Sequence, residues 1–379
     1  TNFVLFLHAM RNLLLISLVL ILSGCKSLGG PIEDALKSSK SKISIVKKNI
    51  KNHNLQIKLS VVESDNKFKD YSFNVDDEKY FYPASTVKLP MVLLALEKIN
   101  EYDNISIKTP FKLEDDTLST TMEDEIYKIF TISDNQANNR LFEFLGQDYI
   151  KEKFEDKGFE NSRIVHRLST SDSKNLNTKK VFFFSDDSTL VFRSFNKKSN
   201  KLELKNTMLG NGFYDESGSL VNEAMDFSNK NFISVNDLHE MTQRLFYADN
   251  FKEKERFNLT EDQFELVKKA MSTVPSELNL DPDEYSDNYV KFFSRRDKKT
   301  SSKEEELEIY NKVGTAYGQL TETALIISKN NTIILTATMT VNENQLYNDD
   351  VYEYDSIGIP FFSSLSREIL NLLLSGNYE

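Results

Sequence analysis

The stretch YPASTVKLPMVLLAL, residues 82–96, contains the most informative pattern in this chain. Ser85 and Lys88 are three residues apart, and a nearly continuous apolar run follows them. In a helix this spacing places both side chains on one face, one turn apart. A serine becomes a nucleophile when a base takes its proton, and a buried, neutral lysine can be that base. The stretch therefore predicts a buried helix that begins with a hydroxyl–amine pair suited to acyl transfer.

Its surroundings distinguish this Ser-x-x-Lys copy from the others in the chain. The other copies lie in polar stretches typical of solvated helix faces or loops, and they begin at Ser39, Ser44, Ser64, Ser171 and Ser194. The Ser85 copy is preceded by Pro83, which suits a helix start, and is followed by an apolar run. We therefore take Ser85 as the candidate nucleophile and Lys88 as its candidate base.

The composition limits the classes of function. The 379 residues suffice for one large domain or two modest ones, with 39% hydrophobic and 28% charged residues as in globular proteins. A net charge of -11 argues against nucleic acid as a partner, because phosphate binding needs a basic surface. The four histidines are scattered and there is a single cysteine, so we expect no metal, no other cofactor and no internal disulfide.

The N-terminal segment indicates export. Residues 13–22 are almost wholly apolar but too few to span a bilayer. The last of them, Leu22, begins the sequence Leu-Ser-Gly-Cys, in which the cysteine is Cys25. This arrangement resembles a bacterial lipoprotein signal, which is cleaved before a cysteine that becomes lipidated. We expect residues 1–25 to be this signal, Cys25 the lipidation site and residues 26–39 a tether. The expected location is the cell envelope, periplasmic or at the outer membrane; an ordinary secretory signal is the alternative.

The two ends of the chain predict one sheet. Apolar residues alternate with polar ones over 55–61 and 71–75, which favours strands. Three more apolar runs between 307 and 335 predict further strands, and an apolar helix follows over 359–375. The order predicts an α/β (α+β) fold with an antiparallel sheet, completed by both chain ends and flanked by helices.

The middle of the chain differs from its ends. Residues from about 100 to 180 are mainly helical in pattern and predict a helical subdomain. Residues 181–230 contain short β-like pieces separated by turn residues. We interpret this second segment as an inserted hairpin or subdomain outside the site.

Two further motifs could complete an acyl-transfer site. Ser133-Asp134-Asn135 lies between two predicted helices, unlike the Ser-Asp-Asn copies at Ser64 and Ser286. Lys312-Val313-Gly314 is the only Lys-x-Gly in the chain and lies on a predicted strand. Glycine in a strand allows close approach to the backbone, here by a substrate.

In this order the three motifs resemble those of the penicillin-recognising serine hydrolases, above all the class A β-lactamases. The resemblance covers about residues 40–379, with 181–230 as an insertion. It implies a helical domain, an α/β domain and an active-site cleft between them.

The resemblance also implies a role for each matching residue in acylation. Ser85 would be the nucleophile and Lys88 the base candidate. Ser133 would relay a proton to the leaving nitrogen. The backbone N–H groups of Ser85 and Thr315 would form the oxyanion hole, which typically contributes about 10²–10³ in rate.

Substrate binding would fall to a second group of residues. By the resemblance, Asn135 would hydrogen-bond a substrate amide, and Gly314 and Thr315 would line the substrate strand. Lys312 would lower the pKa of Lys88 or Ser133 and attract a substrate carboxylate. The implied partners are a small-molecule β-lactam or a peptidoglycan-derived peptide, together with a membrane through the lipid anchor.

The chain departs from the family pattern in two places. Val313 stands where a hydroxyl residue is usual, so one contact to a substrate carboxylate is missing. Arg167-Leu168 resembles the start of the loop that carries the deacylating glutamate, but no glutamate occurs between Arg167 and Lys180. The glutamate position falls on Asp172, which is either a general base or a surface loop residue.

These departures leave three hypotheses. The first is a hydrolase that opens β-lactam amides through an acyl-Ser85 intermediate. The second is a peptidoglycan D-Ala-D-Ala peptidase, a penicillin-binding protein, or a related amidase or esterase; Val313 and the missing glutamate favour it. The third is a non-catalytic envelope binding protein of the same fold, and the retention of Ser85 and Lys88 speaks against it.

Overall fold

The computed structural model describes residues 29–198, 202–294, 307–376 and 378. The predicted signal and the lipidation site at Cys25 lie outside these residues. The strands in chain order are β1 (Gln56–Val62), β2 (Phe68–Phe73), β3 (Phe111–Leu113), β4 (Val181–Phe184), β5 (Thr189–Phe192), β6 (Met208–Leu209), β7 (Gly212–Tyr214), β8 (Leu220–Val221), β9 (Met225–Asp226), β10 (Glu308–Ala316), β11 (Gln319–Ile327), β12 (Thr332–Thr340) and β13 (Leu346–Tyr347). The helices are α1 (Pro31–Leu36), α2 (Ser41–Lys48), α3 (Lys88–Ile99), α4 (Met122–Thr131), α5 (Asn135–Leu145), α6 (Gln147–Asp156), α7 (Val235–Phe246), α8 (Glu261–Ser272) and α9 (Ile359–Leu374).

Both ends of the chain build one five-stranded antiparallel sheet, as the sequence predicts. Its order is β10-β11-β12-β1-β2, so the N-terminal hairpin pairs with the last long strand, β12. The apolar face of α9 packs on one side of the sheet, and α7 and α8 pack on the other. Lys312 lies opposite Thr323 on the edge strand β10, which therefore borders the helical part of the fold.

Helix α3 is the centre of the helical part. Every residue from Lys88 to Ile99 is buried, because the apolar run covers the whole circumference of the helix. Helices α4, α5 and α6 surround it and share its core. This arrangement confirms the predicted mixture of a helical unit and an antiparallel sheet.

The predicted tether over residues 26–39 is wrong for its C-terminal part. Residues 31–36 form helix α1, whose Ile32, Ala35 and Leu36 are buried in the core beside α9. Proline at the first position and acidic residues in the first turn favour this helix. Residues 31–36 thus belong to the folded domain.

The helical subdomain is shorter than predicted. Helix α6 ends at Asp156, and residues 157–180 form turns and extended loop. Helix α8, by contrast, does not appear in the sequence prediction, although Thr260 and Gln263 form a capping box at its start. Helix α9 with the turn before it, Tyr354–Leu374, is long and apolar enough to cross a membrane, but one face of it is packed in the core and half of its apolar stretch is buried.

The inserted segment is made of short strands, as predicted, and joins the rest of the fold at two places. Strands β4 and β5 extend a small sheet begun by β3, and β7 pairs in parallel with β13 near the C-terminus. An aromatic cluster connects this segment to the residues before Ser85; its buried members are Tyr80, Phe81, Tyr82, Phe227, Phe232 and Tyr347.

Candidate active site

Ser85 lies on a short 3-10 turn, Ala84–Val87, that leads directly into α3. Ala84 has φ +48°, in the left-handed region where a residue with a Cβ is disfavoured. The turn is held by Thr86, whose N–H and hydroxyl both donate to the Pro83 carbonyl oxygen, and the Lys88 N–H donates to the Ser85 carbonyl oxygen. Strained backbone fixed in this way holds the Ser85 hydroxyl at the start of the helix.

Gly314 allows β10 to lie against this turn. A Cβ on Gly314 would come within 2.6 Å of Pro83 O, 2.8 Å of Ser85 N and 2.9 Å of Thr86 N. The sequence predicts that a substrate makes the close approach at this glycine. In the structure the Ala84–Val87 turn makes it, so the glycine sets the spacing between β10 and Ser85.

Lys88 is fully buried and directs its amine at the loop between α4 and α5. Its Nζ lies 2.7 Å from Asn135 Oδ1 and 3.2 Å from Ser133 Oγ, and it also donates to the Ser133 carbonyl oxygen. Within the described residues, no group forms a hydrogen bond with Ser85 Oγ. Lys88 follows Ser85 by three residues at the point where the 3-10 turn becomes α3.

Lys312 approaches Ser133 from the sheet. Its Nζ donates to Ser133 Oγ at 2.9 Å and to the Val313 carbonyl oxygen at 3.0 Å. Ser133 has φ +57°, which turns its hydroxyl between the two lysines. The Ser133 hydroxyl therefore connects Lys88 to Lys312.

The pKa values of Lys88 and Lys312 are both lowered, which favours the neutral amine. Burial lowers the pKa of Lys88 to about 7, against a small opposing effect of Asp134. Burial and the nearby charges of Lys88 and Lys291 hold the pKa of Lys312 well below its ordinary value, while Glu322 opposes them. A lysine that is neutral near pH 7 can accept a proton from a hydroxyl, which an ordinary lysine cannot.

Asn135 is the first residue of α5 and is held from both sides. Asp134 caps the helix by accepting from the Ala137 N–H, and the Asn135 side chain accepts from Lys88. Its Nδ2 donates to Ser169 Oγ at 3.1 Å. The Ser-Asp-Asn motif thus combines a relay hydroxyl, a helix cap and an amide in three consecutive residues.

Two cavities meet above these residues. One, of about 510 Å³, lies beside the loop that begins at His166; the other, of about 490 Å³, lies beside the edge of β10. Both are lined by Ser85, Asn135, Thr315 and Tyr354, whereas Ser133 lines only the smaller one. The structure therefore brings together all predicted site residues that fall on the three motifs, with Lys88 and Lys312 buried beneath them.

Asp172 is the predicted site residue that the structure leaves apart. It does not line either cavity. Its Oδ1 accepts from Thr170 Oγ1 at 2.6 Å and its Oδ2 lies 3.8 Å from Lys179 Nζ. The bond from Thr170 lowers the pKa of Asp172, with a further contribution from the charge of Lys179. This environment favours a charged surface carboxylate, and its role as a base stays a prediction.

The loop that carries Asp172 is fixed at both ends by Glu143 on α5. Arg167 Nε and Nη2 donate to the two carboxylate oxygens at 2.5 and 2.9 Å, and the Lys179 N–H donates to Oε2 at 2.7 Å. Arg167 also donates to the carbonyl oxygens of Asn175 and Asn177. The loop therefore has a rigid base formed by one buried ion pair.

Both ring nitrogens of His166 form hydrogen bonds within the protein. Its Nε2 accepts from the Asn231 N–H, so its Nδ1 donates to the Arg167 carbonyl oxygen, and its ring stacks on Tyr82. Burial lowers its pKa to about 4. These contacts agree with the sequence analysis, which gave the base role to Lys88.

Two residues that line the cleft, Tyr354 and Lys230, are not predicted from the sequence as site residues. Tyr354 separates the two cavities, and Lys230, at the end of the segment interpreted as lying outside the site, lines the larger one. No motif indicates either residue, because both reach the cleft through contacts that are distant in the chain.

Comparisons with known proteins agree with this geometry. The sequence matches the family described as the Beta-lactamase enzyme family over residues 40–373. No curated protein matches it. Among solved structures, a beta-lactamase from Burkholderia vietnamiensis superposes with a TM-score of 0.54 at 10% identity, covering 91% of this chain and 98% of the other. A beta-lactamase from Sphaerobacter thermophilus gives 0.51 at 13% identity, covering 90% and 96%.

Structural likeness at such low identity shows the fold alone, whereas the sequence match covers most of the chain and includes all three motifs. On that match, this chain belongs to the Beta-lactamase enzyme family.

Proposed function

We propose that this protein is a serine hydrolase that opens β-lactam amides through an ester on Ser85. The proposal rests on one observation: the amines of Lys88 and Lys312 both hydrogen-bond the Ser133 hydroxyl, close to the turn that holds Ser85. The lowered pKa values of both lysines favour their neutral forms. The family match and the fold support it.

In the proposed acylation step, neutral Lys88 takes the proton of Ser85 Oγ as that oxygen attacks the lactam carbonyl carbon. The carbon–nitrogen bond of the ring then breaks. Ser133 gives its hydroxyl proton to the leaving nitrogen and regains one from the Lys88 ammonium. Ser85 is left esterified, the ring nitrogen has become N–H and Lys88 is neutral again.

The test is time-resolved intact-mass spectrometry of the purified protein with benzylpenicillin. We expect a mass increase equal to one penicillin, located on Ser85 by peptide mapping and absent from Ser85→Ala. If neither benzylpenicillin nor a fluorophosphonate adds to the wild-type protein, the proposal fails and the non-catalytic binding protein takes its place.

A penicillin-binding protein or D-Ala-D-Ala peptidase is the second candidate. The position of Asp172 outside both cavities favours it, because a base that activates water for deacylation must reach the ester. Among the described residues that line these two cavities, Asp350 and Asp355 are the only carboxylates, and both lie between β13 and α9. The acyl-enzyme would then persist.

Asp172→Asn separates the two candidates. If Asp172 is the deacylation base, this variant should retain acylation but lose about 10²–10⁴ in the rate of ester hydrolysis. An unchanged hydrolysis rate removes that role, and an ester that persists for hours in the wild type favours the penicillin-binding protein. Turnover of a chromogenic cephalosporin gives the same decision under steady-state conditions.

We also propose that the protein is exported and anchored to the cell envelope through a lipid on Cys25, as its N-terminal sequence indicates. Metabolic labelling with an alkyne-tagged fatty acid should mark the wild-type chain and not Cys25→Ala. A chain that is secreted without label would point to the ordinary secretory signal.

A further inference from the structure

Lys230 is a cation in the larger cavity that the acylation step does not use. It lines that cavity together with Ser85 and Ser169. Its Nζ lies 4.9 Å from the ring centre of Tyr317 and 5.6 Å from that of Phe227. It also donates to the Tyr317 hydroxyl oxygen at 3.3 Å. An ammonium over two aromatic rings is held in place but keeps its full charge for a ligand.

The backbone of Lys230 is held as firmly as its side chain. Its N–H donates to the Phe227 carbonyl oxygen at 3.0 Å, and its carbonyl oxygen accepts from Arg163 Nε at 3.1 Å. The next residue, Asn231, accepts from the N–H groups of Val165 and His166 at the start of the cavity loop. Lys230 is therefore fixed relative to the loop that forms the opposite wall.

Lys230 forms no ion pair with any described carboxylate. Asp350 also lines the cavity, but it does not lie within ion-pair distance of Lys230. The only protein oxygen to which Lys230 Nζ donates, among the described residues, is the neutral hydroxyl of Tyr317. A half-buried ammonium that faces a cavity without an anionic partner attracts an anionic ligand group.

The cavity in which Lys230 lies is the one that the acyl part of a substrate would enter. Ser133, which protonates the leaving nitrogen in the proposed step, lines only the smaller cavity. The leaving group therefore extends into the smaller cavity, and the acyl group extends into the larger one. That larger cavity offers the rings of Tyr82, Tyr317, Tyr352 and Tyr354 as flat apolar walls.

On the basis of the proposed acylation at Ser85, we propose that Lys230 binds a carboxylate on the acyl side of the substrate and so selects acidic acyl groups. The aromatic walls pack against the apolar body of the same group. This selection is distinct from any contact to a carboxylate on the leaving group, which lies on the Lys312 side.

The test uses two penicillins that differ by one carboxylate: benzylpenicillin and its α-carboxy derivative, carbenicillin. The second-order rate constant of Ser85 acylation is measured for each by intact mass. We expect wild type to favour the α-carboxy compound by about fivefold to tenfold. The preference, taken as the ratio of the two rate constants within each variant, should disappear in Lys230→Gln and persist in Lys230→Arg.

Lys205→Gln is the matched control. Lys205 belongs to the same inserted segment, and the substitution removes the same charge as Lys230→Gln. However, Lys205 pairs with Glu78 at the surface and does not line the cavity. It should leave the preference intact. Raising the salt concentration on the wild-type protein should reduce the preference, a readout that needs no variant.

The outcomes separate the two proposals. Equal acylation of wild type by both penicillins overturns the role of Lys230 and leaves the proposed function standing. A Lys230→Gln variant that is stably folded and keeps the preference overturns it as well. Absence of acylation by either penicillin overturns the proposed function, and the role of Lys230 with it.

Discussion

Arg167 is joined to Glu143 by a buried, two-pronged ion pair that ties the cavity loop to helix α5. Both side chains are 2% exposed, so neither can turn to water if the other is lost. The loop from 167 to 179 contains little regular structure of its own, and its position depends on this one pair and the backbone bonds around it.

Glu143→Gln should therefore destabilise the protein strongly. The change leaves the Arg167 charge buried without its counter-ion, which typically costs about 3–5 kcal/mol. Urea unfolding followed by circular dichroism measures the loss. Glu155→Gln provides the control, because Glu155 pairs with Lys151 on the exposed surface of α6 and should change the free energy of unfolding by less than about 0.5 kcal/mol. Equal effects of the two changes would contradict a structural role for the buried pair.

Acylation of Ser85 should depend on pH through Lys88. Since the pKa of Lys88 is lowered to about 7, its neutral fraction rises as the pH increases from 5 to 8. We expect the acylation rate constant to rise about tenfold per pH unit below 7 and to level off above it. His166 cannot produce this profile, because its pKa is lowered to about 4. Stopped-flow measurement with a fluorescent penicillin tests it, and a flat profile would rule out Lys88 as the base.

The same lysine should make stability depend on pH. Its pKa is about 7 in the folded protein and near the ordinary 10.5 when unfolded, so between these values the unfolded chain binds more protons. The free energy of unfolding contributed by Lys88 therefore rises with pH across that window, by at most about 1.4 kcal/mol per pH unit.

Comparison with Lys88→Met isolates this contribution. In denaturant unfolding at several pH values, the free energy of unfolding of the wild type should increase relative to that of the variant between about pH 7.5 and 9.5. A difference that stays constant over that range would mean that the lysine keeps an ordinary pKa in the folded protein.

Gly314→Ala should damage the site and the fold together. The added methyl group would meet the backbone of Pro83, Ser85 and Thr86 at less than 3.0 Å, and backbone cannot move aside as a flexible side chain can. We expect a loss of about 1–3 kcal/mol in stability and a severe loss of acylation, since the nucleophile turn must shift. Gly218→Ala is the control: its φ is +77° and no atom lies within 4 Å of the added Cβ. That variant should lose about 1 kcal/mol and acylate normally.

The sheet, the buried helix α3 and the residues of the three motifs are all predictable from the sequence. They follow from local patterns, namely alternation in the strands, a continuous apolar run after Ser85, and polar groups at the ends of elements. Helix α1 falls within the predicted tether because six residues are too few for apolar spacing to identify a helix, although its proline and its acidic first turn favour one.

The walls of the cleft could not be predicted in the same way. Lys230 lines the same cavity as Ser85 because the aromatic cluster and the bonds of Lys230 and Asn231 to residues 163–166 place it there, and these contacts join residues far apart in the chain. Asp172 was placed by counting along a loop. The loop's course is instead set by Glu143 on another element, which counting does not include.

The parallel pairing of β7 with β13 has a consequence for how this protein can diversify. The groups of the proposed acylation step come from the start of α3, the turn before α5 and strand β10, whereas the inserted segment and the chain after β12 supply the far wall of the larger cavity. Substitutions at the cavity-facing residues of those two segments can remodel the wall while the aromatic cluster that packs against the residues before Ser85 is kept. Under the two proposals, selectivity can therefore evolve on a different part of the chain from reactivity, and substitution of those cavity-facing residues is the natural route to engineer it.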